Sequence, residues 1–278
     1  MEVRSHKTLP FAPIYLVPLG DIQAGTEACD LDLLDRTVQE SLRLDAPCFY
    51  TGMGDYLDIA SPSNRKAWQQ AGFYDSVEDM MDDRVGQEEK QLLSILKPTT
   101  GKWLGMLTGH HWWKYQDGTN SDERLAKALE TEHLGTCAMV RLPFSDLGVE
   151  ISCTIWSHHG VGSSSTAAGA LNRLEKVANW AEADIYLMGH QHRRVAIHLP
   201  RLYITDTADP LLLHKSKLLA CTGSYLKGYL QGSRRGNMAQ GTYVEAGMLP
   251  PVQLGSLTIK IKPVWLKDHA EIHTSVMT

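Results

Sequence analysis

The sequence contains no long apolar run and no paired cysteine motif in its 278 residues. No stretch approaches the ~18–20 consecutive apolar residues that cross a bilayer, so we expect no association with membranes. The N-terminal candidate for a signal peptide, residues 11–19, is interrupted by Pro13 and Pro18 and is more typical of a buried strand. Internal repeats, low-complexity tracts and linkers are also absent. We therefore expect a single domain over residues 1–278.

Cysteine usage and charge exclude further classes of protein. The five cysteines form no CxxC pair, and their odd number argues against a disulfide framework or a zinc ribbon. Reduced thiols are typical of the cytoplasm, which is the location that we expect. The formal charge of -5 provides no general attraction to nucleic acids or anionic membranes. An enzyme acting on phosphate esters is still allowed, because bound cations would dominate the local field.

Short apolar runs alternate with amphipathic segments through the first two thirds of the chain. The apolar runs predict five strands, at residues 14–19, 47–51, 103–107, 149–156 and 185–188. From residue 195 onwards short β-like pieces dominate, at residues 203–205, 218–221, 243–245 and 257–264.

Helices are predicted between these strands. Leu34, Val38 and Leu42 recur at four-residue spacing, and residues 85–96 suit a helix that Pro98 would stop. A Ser/Thr cluster at residues 163–166 is placed to cap another. The pattern predicts an α/β fold with a core at about 14–195 and a strand-rich C-terminal part at about 196–270.

Each of the five predicted strands is followed by aspartate or histidine. The residues in question are Asp21, Asp55, His110, His111, His158, His159, His190 and His192. Ligands of open α/β sheets bind beyond the carboxyl ends of the strands, so these side chains are expected to converge. Carboxylate oxygens and imidazole nitrogens suit divalent Mn, Fe, Zn or Mg. The sequence therefore predicts a metal site.

In the order and approximate spacing of these motifs the chain resembles the calcineurin-like metallophosphoesterase superfamily. The family pattern is Asp-x-His, Gly-Asp-x-x-Asp, Gly-Asn-His-Asp/Glu, a later His, and Gly-His-x-His. The corresponding segments here are Asp21-Ile22-Gln23, Gly54-Asp55-Tyr56-Leu57-Asp58, Gly109-His110-His111-Trp112, His158-His159-Gly160 and Gly189-His190-Gln191-His192. Residues 86–98 and 243–255 also resemble phage and prophage members, in which case the cytoplasm would be that of a bacterial host.

The resemblance implies a four-layer α/β/β/α sandwich and two divalent metal ions, with Mn, Zn or Fe favoured over Mg. The first ion would be held by Asp21, Gln23, Asp55 and His192. Asp55 would bridge to the second ion, which His110, His159 and His190 would complete. His158 remains the alternative to His159.

Catalytic roles are implied in the same way. His111 would donate to the phosphate or protonate the leaving group, and Asp58 would orient it. A bridging hydroxide would attack phosphorus. The implied reaction is hydrolysis of a phosphodiester or a phosphomonoester. The diester is favoured, with a nucleotide or nucleic acid as a candidate substrate.

Three residues depart from the family pattern and keep an alternative open. Gln23 stands where His is usual, His110 where Asn is usual, and Trp112 where an acid is usual. The alternative is a catalytically weak or inactive protein of the same fold, acting as a binding or interaction module associated with a phage. Trp112 and Trp113 could stack a nucleobase or simply pack in the core.

Overall fold

The computed structural model describes residues 1–162, 164, 166–205, 208–235, 237–267 and 269–277. Its strands are β1 (Glu2–Ser5), β2 (Leu9–Pro10), β3 (Ile14–Leu19), β4 (Cys48–Gly52), β5 (Trp103–Met106), β6 (Cys137–Asp146), β7 (Val149–His158), β8 (Ile185–Met188), β9 (Arg194–Ile204), β10 (Leu212–Ser224), β11 (Arg234–Arg235), β12 (Met238–Ala239), β13 (Gly255–Ser256), β14 (Thr258–Trp265) and β15 (Ala270–Met277). Its helices are α1 (Leu31–Ser41), α2 (Pro62–Ala71), α3 (Asp75–Leu96), α4 (Ser121–Ala128), α5 (Ala167–Val177) and α6 (Tyr243–Ala246), with a 3-10 turn at Lys97–Thr99. The fold is mixed α/β and rich in strands.

Two sheets contain most of the strands. The smaller has the order β15-β14-β3-β4-β5, in which β3, β4 and β5 run parallel and β14 and β15 are antiparallel to their neighbours. The larger has the order β1-β6-β7-β8-β10-β13, with β2 beside β6 and β9 beside β10. Within it β7, β8 and β10 run parallel. Each sheet therefore contains a run of three neighbouring parallel strands, and in the larger sheet β1 and β2 also run parallel to β6.

The two sheets share one apolar core. Leu16 of β3 and Ile259 of β14 belong to it from the smaller sheet, and Leu142 of β6 and Leu187 of β8 from the larger. All four side chains are completely buried. Since burial of apolar surface is the main favourable contribution to folding, this shared core fixes one sheet against the other.

Helix residues pack with strand residues that are turned away from the shared core. Successive residues of a strand point to opposite faces, so Val17 turns away from Leu16 and packs with Leu34 of α1 and Leu92 of α3. In the larger sheet, Tyr186 turns away from Leu187 in the same manner and packs in a separate cluster that includes residues of α5. Both strands are buried on their two faces, as parallel strands usually are.

Most of the predicted strands are confirmed. β3 and β8 match the predicted residues 14–19 and 185–188, while β4, β5 and β7 differ from their predictions by one or two residues at an end. Residues 218–221 lie in β10, and β14 covers nearly all of 257–264. Residues 243–245, predicted as a strand, form most of α6 instead, so that prediction is wrong. Tyr and Val favour strands, but there the backbone N–H of Ala246 bonds to the Thr242 carbonyl at 3.0 Å.

The predicted helices are present, with different limits. α1 includes Leu34 and Val38, and α3 begins at Asp75, ten residues before the predicted start at 85. Thr166 caps α5 by accepting a 3.1 Å bond from the Gly169 N–H. Ser163 and Ser165 of the predicted capping cluster lie outside the described residues. Within the described part of the chain, no helix has the length and apolar character that crossing a membrane requires.

Candidate metal centre

The loops that follow five strands meet at one end of the two sheets. Asp21 and Gln23 follow β3, Asp55 follows β4, and His110 follows β5. These three strands belong to the smaller sheet. The larger sheet contributes His159 after β7, and His190 and His192 after β8. The predicted convergence therefore takes place, and it occurs between two sheets rather than along one.

Five of the converging residues have left-handed backbone conformations. Their φ angles are 47° at Asp21, 55° at Gln23, 51° at Asp55, 63° at His190 and 53° at His192. Such values are uncommon for residues with a side chain and cost about 1–2 kcal/mol each. Strained backbone of this kind clusters at functional sites, because the surrounding structure must hold it in place.

Close contact between two loops explains why position 109 is a glycine. A Cβ on Gly109 would collide with the Oδ1 atom and the backbone N of Asp55. Without that side chain, the backbone N–H groups of His110 and His111 both donate to Asp55 Oδ1, the second at 2.8 Å. Asp55 is thereby held rigidly, with Oδ2 left for other partners.

One group of four residues has the arrangement of a metal site. Asp55, His110, His159 and His190 each present one ligand atom, and the four atoms all lie within 4.8 Å of one another. His159 Nδ1 bonds to the Met53 carbonyl at 2.7 Å, which turns Nε2 towards Asp55 Oδ2 at 3.2 Å. His110 Nδ1 and His190 Nδ1 are 3.1 Å apart.

A second group lies beside the first. Asp21 Oδ1 is 3.5 Å from His192 Nε2, and Gln23 Nε2 is 3.2 Å from the same nitrogen. Asp21 Oδ2 accepts a 2.7 Å bond from the backbone N–H of His190 and so connects the two groups.

Unpartnered polar atoms show that these residues fit a cation. Asp21 Oδ1, Gln23 Oε1 and His159 Nε2 are buried without a hydrogen-bond partner. The contact of His159 Nε2 with Asp55 is close but not aligned as a hydrogen bond, so we describe it as an ion pair. A buried polar atom without a partner costs about 1–3 kcal/mol, and coordination of a divalent ion would remove that cost.

The histidines of the four-residue group differ in their proton affinity. Burial together with the charge of His159 lowers the pKa of His190 to about 4, and the same influences lower the pKa of His110. Neutral imidazole is the form that binds metals. Burial opposes protonation of His159, but the Asp55 and Asp21 carboxylates raise its pKa to about 9. Without a cation His159 therefore carries a proton, which a metal ion must displace.

His111 and Asp58 form a separate pair beside the metal ligands. His111 Nδ1 bonds to Asp58 Oδ1 at 2.7 Å, and His111 also lines the adjacent cavity. Burial would lower the pKa of His111, but the hydrogen bond to Asp58 and the charge of Asp55 raise it. The imidazole is thus both oriented and disposed to hold a proton, as a general acid requires.

The structure distinguishes the two adjacent histidines at the end of β7. His158 Nδ1 accepts a 2.7 Å bond from the Gly160 N–H, and its ring stacks on Trp156 at 5.9 Å between centroids. Only His159 belongs to the four-residue group. Whether these groups hold ions, and in which roles, stays a prediction.

Two residues that support the site carry no motif in the sequence. Asp122, at the start of α4, is completely buried and accepts from the Gly109 N–H at 3.3 Å. Burial raises the pKa of Asp122 to about 7. Arg65 of α2 donates to the carbonyls of His110 and Trp112. Neither residue stands near a ligand in sequence, so only the tertiary structure reveals them.

The tryptophan pair that follows His111 is turned away from the ligands. Trp113 is buried and donates to Asp82 Oδ1 at 2.7 Å, and the Arg65 guanidinium lies over Trp112 at 4.6 Å from the ring centroid. Neither tryptophan lines the cavity of about 390 Å³ that opens beside the metal ligands. Packing is therefore their role in this structure.

Comparison with known proteins gives distant resemblances in structure only. No family model matches the sequence, and no curated protein matches it. Among solved structures, vacuolar protein sorting 29 from Cryptosporidium parvum is 12% identical, with 96% of this chain and 99% of that chain covered, at a TM-score of 0.33.

Two further structures are similar at the same level. Vps29 from Entamoeba histolytica complexed with Zn²⁺ is 10% identical at a TM-score of 0.36, with 94% of this chain and 98% of that one covered. A conserved protein from Streptococcus pneumoniae described as a predicted phosphoesterase is 13% identical at a TM-score of 0.31, with 95% and 99% covered. Likeness this distant carries no argument about function, which must be derived from the site.

Proposed function

We propose that this chain is a metal-dependent phosphoesterase. The observation that carries the proposal is the group Asp55, His110, His159 and His190, whose ligand atoms lie within 4.8 Å of one another. The unpartnered atoms of Asp21 and Gln23 beside it support a second ion. Bound divalent ions would supply an activated water and neutralise charge on a phosphate ester.

The ligand chemistry favours particular metals. Three imidazoles and one carboxylate suit Zn, Mn or Fe better than Mg, which prefers oxygen ligands throughout. Gln23 can contribute only a neutral amide oxygen, so the group formed with Asp21 and His192 is expected to bind its ion more weakly. We therefore propose one tight and one weaker site for divalent ions.

The residues around the ligands have separate tasks. Asp55, held by two backbone N–H groups, presents Oδ2 in a fixed direction. His111 delivers the proton to the departing oxygen, and Asp58 fixes the tautomer and orientation of His111 through their 2.7 Å bond. Asp122 and Arg65 hold the loop that carries His110 and His111.

Several finer statements belong to the same proposal. We favour a phosphodiester over a phosphomonoester, with a nucleotide or nucleic acid as a candidate substrate. A helix–sheet–sheet–helix order of layers is the four-layer sandwich that the sequence resemblance implies, and the separate clusters on the two faces of each sheet support it. We also propose that residues 1–278 form one domain, that the protein is cytoplasmic and that it is associated with a phage.

Metal content and hydrolysis together test the proposal. The purified protein is analysed by mass spectrometry and assayed on bis-p-nitrophenyl and p-nitrophenyl phosphate with Mn, Zn, Mg or Fe added in turn. Bound metal together with turnover that EDTA removes is the expected result, and the better ester separates a diesterase from a monoesterase. If the metal-loaded protein hydrolyses neither ester, the enzyme reading is wrong and the chain is a binding module. The weak ligand Gln23 would then explain the lack of activity.

A further inference from the structure

The cavity beside the metal ligands has two chemically different walls. One consists of site residues, among them Gln23, Asp55 and His111. The other comes from the C-terminal part of the chain and is apolar, with Leu226, Val244, Leu249, Pro250 and Val252. An ester bound with its phosphate at the first wall and its leaving group at His111 can place the group that stays on phosphorus against the second.

The apolar wall is a built part of the fold. Val244 and Leu226 are buried and form a cluster with Ala28, against which Leu249 packs. The backbone N–H of Leu249 bonds to the Val244 carbonyl at 2.9 Å, and the Tyr229 hydroxyl bonds to the Leu249 carbonyl at 2.7 Å. The wall is therefore preorganised for a ligand rather than formed only when one binds.

The wall is also joined directly to the metal centre. Ala28 lies five residues after Gln23, and its carbonyl accepts a 2.8 Å bond from the Lys227 N–H. Tyr243 is 53% exposed and lines the same cavity as Gln23. Its aromatic ring is one on which a flat group could stack.

The side-chain charge of the cavity favours a small ester over a polymer strand as its ligand. Among the described residues that line it, Arg193 is the one arginine or lysine. Sites that follow the backbone of a nucleic acid use a positively charged groove with several such residues. A volume of about 390 Å³ is, by contrast, in the range of small-molecule sites.

Resting on the phosphoesterase function proposed above, we infer that the substrate is a small phosphodiester in which the group that stays on phosphorus is flat and apolar, as in an aryl ester. The group occupies the apolar wall while the phosphate lies at the metal ligands. Stacking and apolar contact of this kind favour such a ligand by roughly tenfold or more over one with a methyl group.

Two diesters with the same leaving group test this inference. Phenyl p-nitrophenyl phosphate and methyl p-nitrophenyl phosphate both release p-nitrophenolate, so the ratio of their kcat/KM values, each divided by its uncatalysed rate constant, reports the group that stays. We expect a ratio of at least roughly ten, and we expect Val252→Asn to bring it towards one. The matched control is Val149→Asn at the start of β7, a 41% exposed residue outside the cavity, which should leave the ratio unchanged.

The outcomes separate the inference from the function on which it rests. Two results would refute the inference and leave the proposed hydrolase function unaffected. One is equal corrected kcat/KM values for the two esters, and the other is a ratio that Val252→Asn leaves unaltered. Absence of hydrolysis would refute the proposed hydrolase function. In that case, calorimetry on the metal-loaded protein tests the ligand preference of the cavity, which should bind phenylphosphonate at least roughly tenfold more tightly than methylphosphonate. Equal affinities would reject the inference there too.

Discussion

Replacing Asp58 with asparagine tests whether His111 acts as the acid that protonates the leaving group. Asp58→Asn keeps the shape of the side chain and removes its charge, while the metal ligands stay in place. The side chains of His111 and Asp58 are only 19% and 13% exposed, respectively, and the distance from His111 Nδ1 to Asp58 Oδ1 is 2.7 Å. The substitution should therefore act on proton transfer and leave metal content unchanged.

The structure sets the size and sign of the effect. Two unit charges about 4 Å apart interact by about 4 kcal/mol at an effective dielectric constant of 20, and partial exposure reduces this. A loss of about 1.4 kcal/mol would lower the pKa of His111 by one unit. In the unsubstituted protein the pKa of His111 is raised. Activity that needs protonated His111 therefore falls only when the pH rises through that raised pKa. In Asp58→Asn the same fall begins at lower pH.

Two leaving groups make the assay specific. Phenolate is a poorer leaving group than p-nitrophenolate and depends more on protonation. We expect Asp58→Asn to cost roughly tenfold or more in kcat on diphenyl phosphate and much less on bis-p-nitrophenyl phosphate. Asp45→Asn, which removes a carboxylate that accepts a 2.7 Å bond from the Tyr15 hydroxyl away from the site, is the control. Equal losses on both esters with an unmoved pH profile would refute the role of His111.

Three further substitutions test the site. Asp55→Asn should abolish metal binding and activity together, because the ionic ligand of the four-residue group is lost; retained metal by mass spectrometry would contradict this. Gln23→His should tighten the weaker ion by about 1.4 kcal/mol, or roughly tenfold, in a metal titration, and an unchanged affinity would mean that Gln23 is not a ligand. Burial raises the pKa of Asp122 to about 7, so the parent loses stability as pH rises from about 4 to 7. In EDTA, the free energy of unfolding of Asp122→Asn, measured with urea, should not show this decrease of a few kcal/mol as pH rises. If parent and variant show the same pH dependence of that free energy, the prediction is wrong.

The location of the site was predictable because its residues follow apolar runs directly. A short buried strand such as β8 leaves a clear pattern, and the residue after its end has a known position in a parallel sheet. His190 and His192 could therefore be placed beside Asp55 without any structure. The choice between His158 and His159 could not, because the two are adjacent at the end of β7 and only side-chain direction separates them.

The remaining features depend on contacts between distant parts of the chain. β6 contains Pro143 and was not predicted, yet it pairs along its whole length with β7. Asp122 looks like an ordinary residue at a helix start, and its role follows from the approach of Gly109. α6 is a short helix although it begins with two residues that favour strands. Local propensity alone does not determine these features.

The position of the ligands between the two sheets has a mechanical consequence. Asp55 and His110 extend from one sheet, and His159 and His190 from the other. An ion held by all of them would join the ends of both sheets, so separating the sheets would require its release. Backbone amides of β8, which contains no ligand, should then exchange with deuterium about a hundredfold more slowly when zinc is present at 100 times its Kd. The concentration of free metal would set how firmly the two halves of the molecule are held together.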